Sequence, residues 1–434
     1  MDKSGDVIWH YKPDLGIWKP DGIPYLEKLV TDIMGDKIKT RMFDEVKKLI
    51  QVKTYMPMEE FQPDPNVIVM EDGAFNIKYV NDWSPHLSQY YATSRIPVTY
   101  DYDADCPKIQ KFFEEIYPEN PDILYEIIGY CLLKKTPFHN FFILLGDGAN
   151  GKGTYINLIK RFLGEENVSS ETLQQLDENR FRVANLHGKM ANLCNDIPAN
   201  PLKHTGMLKQ TTSGDMITAE KKNLNPFQFE NHAKLIFSCN QLPPTYDNTT
   251  AFFRRQIVLQ FKQKFVDGIN ADPDILDKIC TKEEMSGLFN RAIEALRRLL
   301  KTHKFTGIKS VEERTEEYIL ESNPAQYFLQ NYVVMGEDLS SFLPKDVLYT
   351  VYVDWCRLSG FMPCESNYFS RQGKRFLPYI REGKPRVDGK QVKSWYGIEV
   401  KEELKDELYP ETKMSTVSTM STANIPSVSV SNQK

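Results

Sequence analysis

The chain of 434 residues carries 59 acidic against 54 basic side chains, a formal net charge of −5 at pH 7, which excludes a wholly basic nucleic-acid binder and confines any DNA contact to local patches. Its length and 41% hydrophobic content suffice for two to four domains with true cores, and no apolar run is long enough to span a membrane. Seven cysteines (Cys106, Cys131, Cys194, Cys239, Cys280, Cys356 and Cys364) are scattered without a CxxC pair, which reads as reduced, buried thiols in a cytoplasmic protein; zinc spacing, a GxSxG turn and a signal peptide are also missing.

Up to about Pro137 the hydrophobic pattern is mixed. Helical periodicity covers Ile23 to Met34 and Lys37 to Gln51, a short strand is expected over Val67 to Met70, and a helix over Pro121 to Lys134 closes the stretch. Residues 1–137 therefore read as a mainly helical region. Its basic residues alternate with acids, the pattern of a solvated or oligomer-contacting surface.

Nameable chemistry begins at Phe141 to Thr154, FFILLGDGANGKGT. Five apolar residues, Phe141 to Leu145, make a buried strand too short for a helix, and a glycine-rich loop follows at once. Gly146, four intervening residues (Asp147, Gly148, Ala149, Asn150), Gly151 and Lys152 satisfy the phosphate-loop spacing, in which backbone N–H groups wrap a triphosphate and the lysine reaches its outer phosphates. Tyr155 to Leu163 recur at helical spacing up to Gly164, so the loop opens a helix, where anions are favoured. Gly153 stands where a Ser or Thr hydroxyl normally binds Mg²⁺, and Thr154 is the nearest substitute.

A second apolar strand, Lys189 to Asn195, ends at Asp196, an acid suited to hold Mg²⁺ at the carboxyl end of the strand beside the P-loop; a capping turn before Pro198 is the plainer alternative. Asn195 is a neighbour able to share in holding the metal's water. Residues 201–264 then carry nine basic residues against four acids, in a chain that is acidic overall. Lys209 and, near the tip of a projecting hairpin, Lys221 and Lys222 suit a DNA channel that tracks phosphates, or else a merely solvated turn. Ala233 to Cys239 is a third strand ending at Asn240, placed to orient the attacking water, and Arg254 and Arg255 precede a fourth, Gln256 to Phe261. Either arginine is a surface residue or a finger for a neighbour's triphosphate. A helix from Glu283 to Leu300 closes this domain, read as residues 138–305.

After linker helices (306–340), a smaller unit is expected over 341–410. One helix presents Leu348, Tyr352 and Trp355 and ends at Gly360, a second runs from Tyr368 to Ile380, and a basic hairpin follows. Ser366 to Val400 holds eight basic residues, including Arg371, Lys374 and Arg375, against three acids, which reads as a winged helix on DNA or a protein-docking module of the same shape. The Ser/Thr-rich stretch beyond residue 410 reads as a disordered tail.

With these motifs in view, the sequence resembles the superfamily 3 helicases of the phage and plasmid primase family, AAA+ motors of viral and plasmid replication. GDGANGKGT (Gly146 to Thr154), ANLCND (Ala191 to Asp196), Leu208 to Asn223, IFSCNQLP (Ile236 to Pro243) and FFRR (Phe252 to Arg255) carry the likeness, with DADCP (Asp103 to Pro107) and IIGYCL (Ile127 to Leu132) before them. The fold class expected is α/β, an AAA+ P-loop ATPase core between a mainly helical N-terminal region and a C-terminal winged helix. The resemblance implies a hexameric ring that hydrolyses ATP with Mg²⁺ and moves 3′ to 5′ on single-stranded and forked DNA, in the host cytoplasm of a virus, phage or plasmid. It makes Lys209, Asp215 and Lys221 or Lys222 part of the channel element, Asn240 the sensor, and Arg255 the finger with Arg254 as competitor. Nothing resembles a primase-polymerase domain, so a separate primase or polymerase is an expected partner. The rival readings are an ATP-switched origin-binding initiator and, disfavoured by the two basic patches, a small-molecule kinase.

Overall fold

The computed structural model describes residues 7–35, 39–57, 60–79, 82–222, 225–247, 249–387 and 389–409, so the expected tail lies outside the described residues. The chain divides into two compact units, Met1–Arg314 and Thr315–Lys434. No helix among the described residues is long and apolar enough to cross a membrane.

The first unit opens with an antiparallel pair, β1 (His10–Lys12) and β2 (Ile17–Lys19), then α1 (Gly22–Met34), α2 (Thr40–Lys53) and a small antiparallel sheet of β3 (Val67–Val69), β4 (Ala74–Asn76) and β5 (Trp83–Ser84). Helices α3 (Pro107–Ile116) and α4 (Asp122–Leu132) follow. Among the described residues four helices thus lie in the stretch read as mainly helical, but five short strands stand among them; β3 is the strand expected over Val67 to Met70, and the other four, at two or three residues each, are too short to leave an alternating pattern.

Every residue of α4 from Ile123 to Leu132 is buried, which is why its sequence is apolar all round rather than striped. It packs along α11 (Lys282–Thr302). A side chain at Gly129 would place its Cβ 2.3 Å from the Ala292 carbonyl oxygen, so a glycine is what lets the two helices approach this closely. Within the same contact Glu126, fully buried, accepts bonds from the Thr306 backbone N–H and hydroxyl (both 2.8 Å) and from Arg298 (3.0 Å). The carboxylate is thereby satisfied, as a buried charge must be.

The centre of the unit is a five-stranded parallel sheet. Its strands are β6 (Phe141–Leu145), β7 (Val168–Ser169), β8 (Ala191–Cys194), β11 (Lys234–Cys239) and β12 (Gln256–Gln260), in the spatial order β12-β6-β11-β8-β7. Helix α5 (Lys152–Leu163) follows β6; α6 (Leu173–Glu178) and α7 (Arg180–Val183) link β7 to β8; and α10 (Ile275–Ile279) follows β12. All five residues of β6 are buried, the continuous apolar run that a parallel strand covered on both faces requires. Each fully buried large apolar side chain here is worth about 2 kcal/mol.

One expectation is corrected by this order. The strand leading to Asp196 does not lie beside the P-loop strand, because β11 stands between them. Sequence order cannot reveal this, since a crossover connection sets spatial neighbours independently of chain order. Between β8 and β11 comes an excursion: α8 (Gly206–Ser213) and the antiparallel hairpin β9 (Met216–Ala219) and β10 (Phe227–Glu230). Between β11 and β12 lies α9 (Thr250–Phe253), and α12 (Val311–Ser322) runs from the end of this unit into the next.

The second unit runs α13 (Pro324–Tyr332), β13 (Val333–Met335), β14 (Phe342–Pro344), α14 (Lys345–Ser359), α15 (Ser366–Phe376), β15 (Arg381–Gly383), β16 (Arg386–Val387), β17 (Lys390–Gln391), β18 (Ser394–Tyr396), β19 (Ile398–Val400) and α16 (Glu402–Leu408). Strands β14, β18 and β15 form an antiparallel sheet, β16 and β17 a hairpin, and β13 pairs with β19. The core is aromatic: Tyr352 stacks on Phe369 at 4.5 Å, with Phe328, Trp355 and Trp395 beside them. Helix α15 stops at Phe376, short of the expected Ile380, because Pro378 disfavours helical geometry in the residue before it.

Candidate nucleotide site

The phosphate loop occupies the carboxyl end of β6. Gly151 caps α5 with φ of +86°, and a Cβ there would lie 2.4 Å from Ile116 Cγ2, so both conformation and space demand glycine. The loop is tied on both flanks: Gly146 N–H donates to Cys239 O at 3.2 Å, and Phe265 N–H donates to Ala149 O at 2.7 Å. Buried Asn150 donates to Phe261 O at 3.3 Å and accepts from Lys152 Nζ at 3.1 Å. Lys152 Nζ also donates to Gly146 O. The lysine is only 5% exposed; burial lowers its pKa, and the neighbouring Cys239, Asp147 and Asp196 partly offset this. Its ammonium is therefore held in the loop's own curve, where the outer phosphates of a nucleotide would draw it.

A cavity of about 380 Å³ opens above the loop, lined by residues 148–154, Asn195, Asp196, Ser238 and Asn240. Three neighbouring strands supply it: β6 gives the loop, β11 gives Ser238 and Asn240, and β8 gives Asn195 and Asp196. Ile197 N–H donates to Ser238 O at 2.9 Å and so fixes Asp196 level with the end of β11. Residues that lie up to 92 positions apart in sequence are thus gathered at one sheet end, the carboxyl end, where open α/β sheets bind ligands. Ser238 was not singled out from sequence; a polar residue inside the apolar run IFSC was the available signal.

Among the described residues no three His, Cys, Asp or Glu side chains cluster in a way that could hold a metal ion. The cavity's side-chain oxygens are the Asp196 carboxylate, the Thr154 and Ser238 hydroxyls and the amide oxygens of Asn150, Asn195 and Asn240, with Asp196 the one anionic group among them. That set fits Mg²⁺, which is commonly bound by one or two protein oxygens together with substrate phosphates and water.

The basic candidates separate by burial. Arg255 is 7% exposed, and its guanidinium donates to Ala251 O at 2.6 Å and Ser213 Oγ at 2.7 Å. Arg254 is exposed. Lys209 pairs with Asp247 at 2.8 Å. Burial would raise the Asp247 pKa, yet bonds from Lys209, Thr205 and Thr249 hold it well below the usual carboxylate range. Lys221 and Lys222 are exposed in the connection between β9 and β10, with Lys221 Nζ 5.6 Å from the Phe227 ring centroid. In the second unit Arg371, Lys374 and Arg375 share the exposed face of α15, and Lys374 pairs with Glu382 at 3.0 Å.

Two family models match the chain: "D5 N terminal like" over residues 3–118 and "Family of unknown function (DUF5906)" over residues 144–255. The chain is 24% identical over 317 residues to a protein of Acanthamoeba polyphaga mimivirus named "putative helicase". That match covers 67% of this chain, and the chain spans about a third of the relative's length (33%). Apo structures of the C terminal region of NrS-1 align at 13–14% identity over 69–70% of this chain and 77% of theirs, with TM-scores of 0.37, too low to establish a shared fold.

Proposed function

We propose that the chain is an ATP-driven replicative DNA helicase of a virus, phage or plasmid, a superfamily 3 AAA+ motor working as a hexameric ring that moves 3′ to 5′ on single-stranded DNA. The observation that carries this reading is the cavity in which a phosphate loop, Asp196 and Asn240 meet at the carboxyl end of one parallel sheet. The likeness to the mimivirus protein supports it. So do the exposed Lys221 and Lys222 on a separate hairpin that the chain forms between β8 and β11 of that sheet.

In this reading Lys152 leaves Gly146 O and Asn150 to neutralise the charge that develops on the transferring phosphoryl group. Thr154 and Asp196 hold the metal, which when bound screens the phosphates. Asn240 orients the attacking water. Arg254 takes the finger role in a neighbouring subunit's site, because a group that must leave its own chain is served by the exposed arginine and not by the one bonded to Ala251 and Ser213. Lys221 and Lys222 track the DNA backbone, while Lys209 ties α8, which leads into the hairpin, to the loop before α9 through Asp247.

A second reading, an ATP-switched origin-binding initiator, draws on the second unit. Its order of a helix, two short strands, two helices and then strands that include a hairpin is compatible with a winged helix, and its cations suit duplex DNA. Strand displacement on a forked substrate separates the two. The helicase reading expects ATPase stimulated by single-stranded DNA and ATP-dependent displacement, both lost in Lys152→Ala; stimulated binding to duplex without displacement would favour the initiator.

A further inference from the structure

The segment between β7 and β8 touches both the nucleotide side and the DNA side of the first unit, and neither role has been given to it. At its start Glu171 is bolted to β8: its N–H donates to Asn192 Oδ1 at 2.8 Å, and Asn192 Nδ2 donates back to Glu171 O at 2.9 Å. The Glu171 carboxylate accepts from Asn185 at 2.7 Å and faces Arg182 at 3.5 Å, closing the segment on itself. Two caps stiffen it. Thr172 and Gln175 form a reciprocal capping box on α6, and Asn179 caps α7 through the Phe181 N–H.

Two side chains reach outward from this strut. Gln174 on α6 donates from Nε2 to the carbonyls of Pro198 (3.0 Å) and Asn200 (3.1 Å), in the loop that begins at Asp196. Arg180, the first residue of α7, pairs with Glu220 at 3.1 Å, the residue immediately before Lys221 and Lys222. A loop that shifts with the metal-holding acid therefore pulls on one end, and a hairpin tip that shifts with DNA pulls on the other.

We propose that residues 171–186 relay nucleotide occupancy at the Asp196 loop to the DNA-gripping hairpin tip and back, with Gln174 and Arg180 as the positioning residues at its two ends. This rests on the motor reading above. Both residues stand outside the cavity, so they act through the Asp196 loop and Glu220 and not on the substrate itself. Coupling of this kind is reciprocal: whatever factor ATP adds to DNA affinity, DNA adds to ATP affinity. The Arg180–Glu220 pair is partly exposed, at 64% and 19%, and such pairs carry up to about fivefold in an equilibrium.

The experiment measures single-stranded DNA affinity with and without a non-hydrolysable ATP analogue, and basal and DNA-stimulated ATPase, on the full chain. Arg180→Ala should leave basal ATPase and nucleotide-free DNA affinity within about twofold, while the factor by which the analogue changes DNA affinity falls about three- to fivefold. Gln174→Ala should do the same from the other end, and the double variant should be no worse than either single change, because both break one path. Exchange of the charges, Arg180→Glu with Glu220→Arg, should restore the coupling. Full coupling in Arg180→Ala, additive losses in the double variant, or no recovery in the exchanged pair each overturns the relay while leaving the motor reading intact. If DNA does not affect the ATPase of the unaltered protein, the motor reading falls and the relay with it.

Discussion

Replacing Arg254 and Arg255 one at a time should produce two different failures. Arg255→Ala removes two charge-assisted hydrogen bonds, to Ala251 O at 2.6 Å and Ser213 Oγ at 2.7 Å, from a side chain that is 7% exposed. Bonds to a charged group contribute roughly 1.5–3 kcal/mol each, and water re-satisfies part of what is left, so a net loss of about 3 kcal/mol is expected. For a domain of this size each kilocalorie moves Tm by about 2–4 °C or slightly less, giving a fall of about 6 °C in the first unit's transition. Arg254→Ala touches an exposed side chain and should stay within about 0.5 kcal/mol of the parent. Its ATPase, however, should fall about a thousandfold, the scale of a lost arginine finger. Scanning calorimetry and steady-state hydrolysis read the two effects separately. Mixing then tests whether the finger acts in trans. Arg254→Ala keeps an intact phosphate loop and Lys152→Ala keeps an intact arginine, so random one-to-one rings rebuild a whole site at about a quarter of head-to-tail interfaces. The reasoning is refuted if Arg255→Ala melts like the parent while Arg254→Ala hydrolyses ATP normally, or if verified mixed rings recover no activity.

Two further outcomes follow from the placement of charge. Lys221→Ala with Lys222→Ala should keep assembly and basal ATPase but lose DNA stimulation and flatten the salt dependence of single-strand binding, since each phosphate contact contributes about 0.7 to the slope; an unchanged slope returns these lysines to solvent. In the second unit, Lys345 and then Lys374 hold the Glu382 carboxyl at about 2, below its ordinary 4.5. A carboxylate whose folded pKa is depressed adds stability above its unfolded value and loses it as pH falls through the folded one. Wild type should therefore lose stability in this unit between pH 4.5 and about 2, and Glu382→Gln should lose less. Because Glu382 and Lys374 are largely exposed, the difference should not exceed about 1 kcal/mol; parallel profiles in tryptophan fluorescence would contradict it.

The phosphate loop was legible because its parts are contiguous: a buried strand, a fixed glycine and lysine spacing, and a helix in one run of residues. Asp196 and Asn240 could be singled out for a related reason, each following directly on the strand read from sequence (Lys189 to Asn195 and Ala233 to Cys239), and the lining of the cavity includes both. What sequence could not supply was the neighbour of each strand. Nothing in Ala191–Cys194 or Lys234–Cys239 states that the latter lies between the former and β6. The short strands β1, β2, β4 and β5 escaped because two or three residues carry no period, whereas β3 stands where the apolar run Val67 to Met70 placed a strand; the α6–α7 strut escaped because its meaning lies in side-chain bonds to distant carbonyls and not in any motif.

Cations gave the sharpest division between what spacing reports and what it hides. Arg254 and Arg255 are adjacent and chemically identical, and Lys209 belongs to the same basic stretch as Lys221 and Lys222. Composition treats each group as equivalent. Burial does not, because a charge taken from water must be satisfied where it stands. Arg255 is answered by Ala251 and Ser213, and Lys209 by Asp247, so engaging a triphosphate or a DNA phosphate would first require breaking bonds already made within the chain. Arg254, Lys221 and Lys222 start exposed to solvent; exchanging bulk water for a phosphate costs far less there, Lys221 giving up only its 5.6 Å contact with the Phe227 ring. The excess of five positive charges in residues 201–264 therefore overstates the cations available to a ligand. In the motor reading, the same logic explains how an acidic chain works on an acidic polymer. What matters is not the sum of its charges but how many cations stand at the surface with little of their own chain to release.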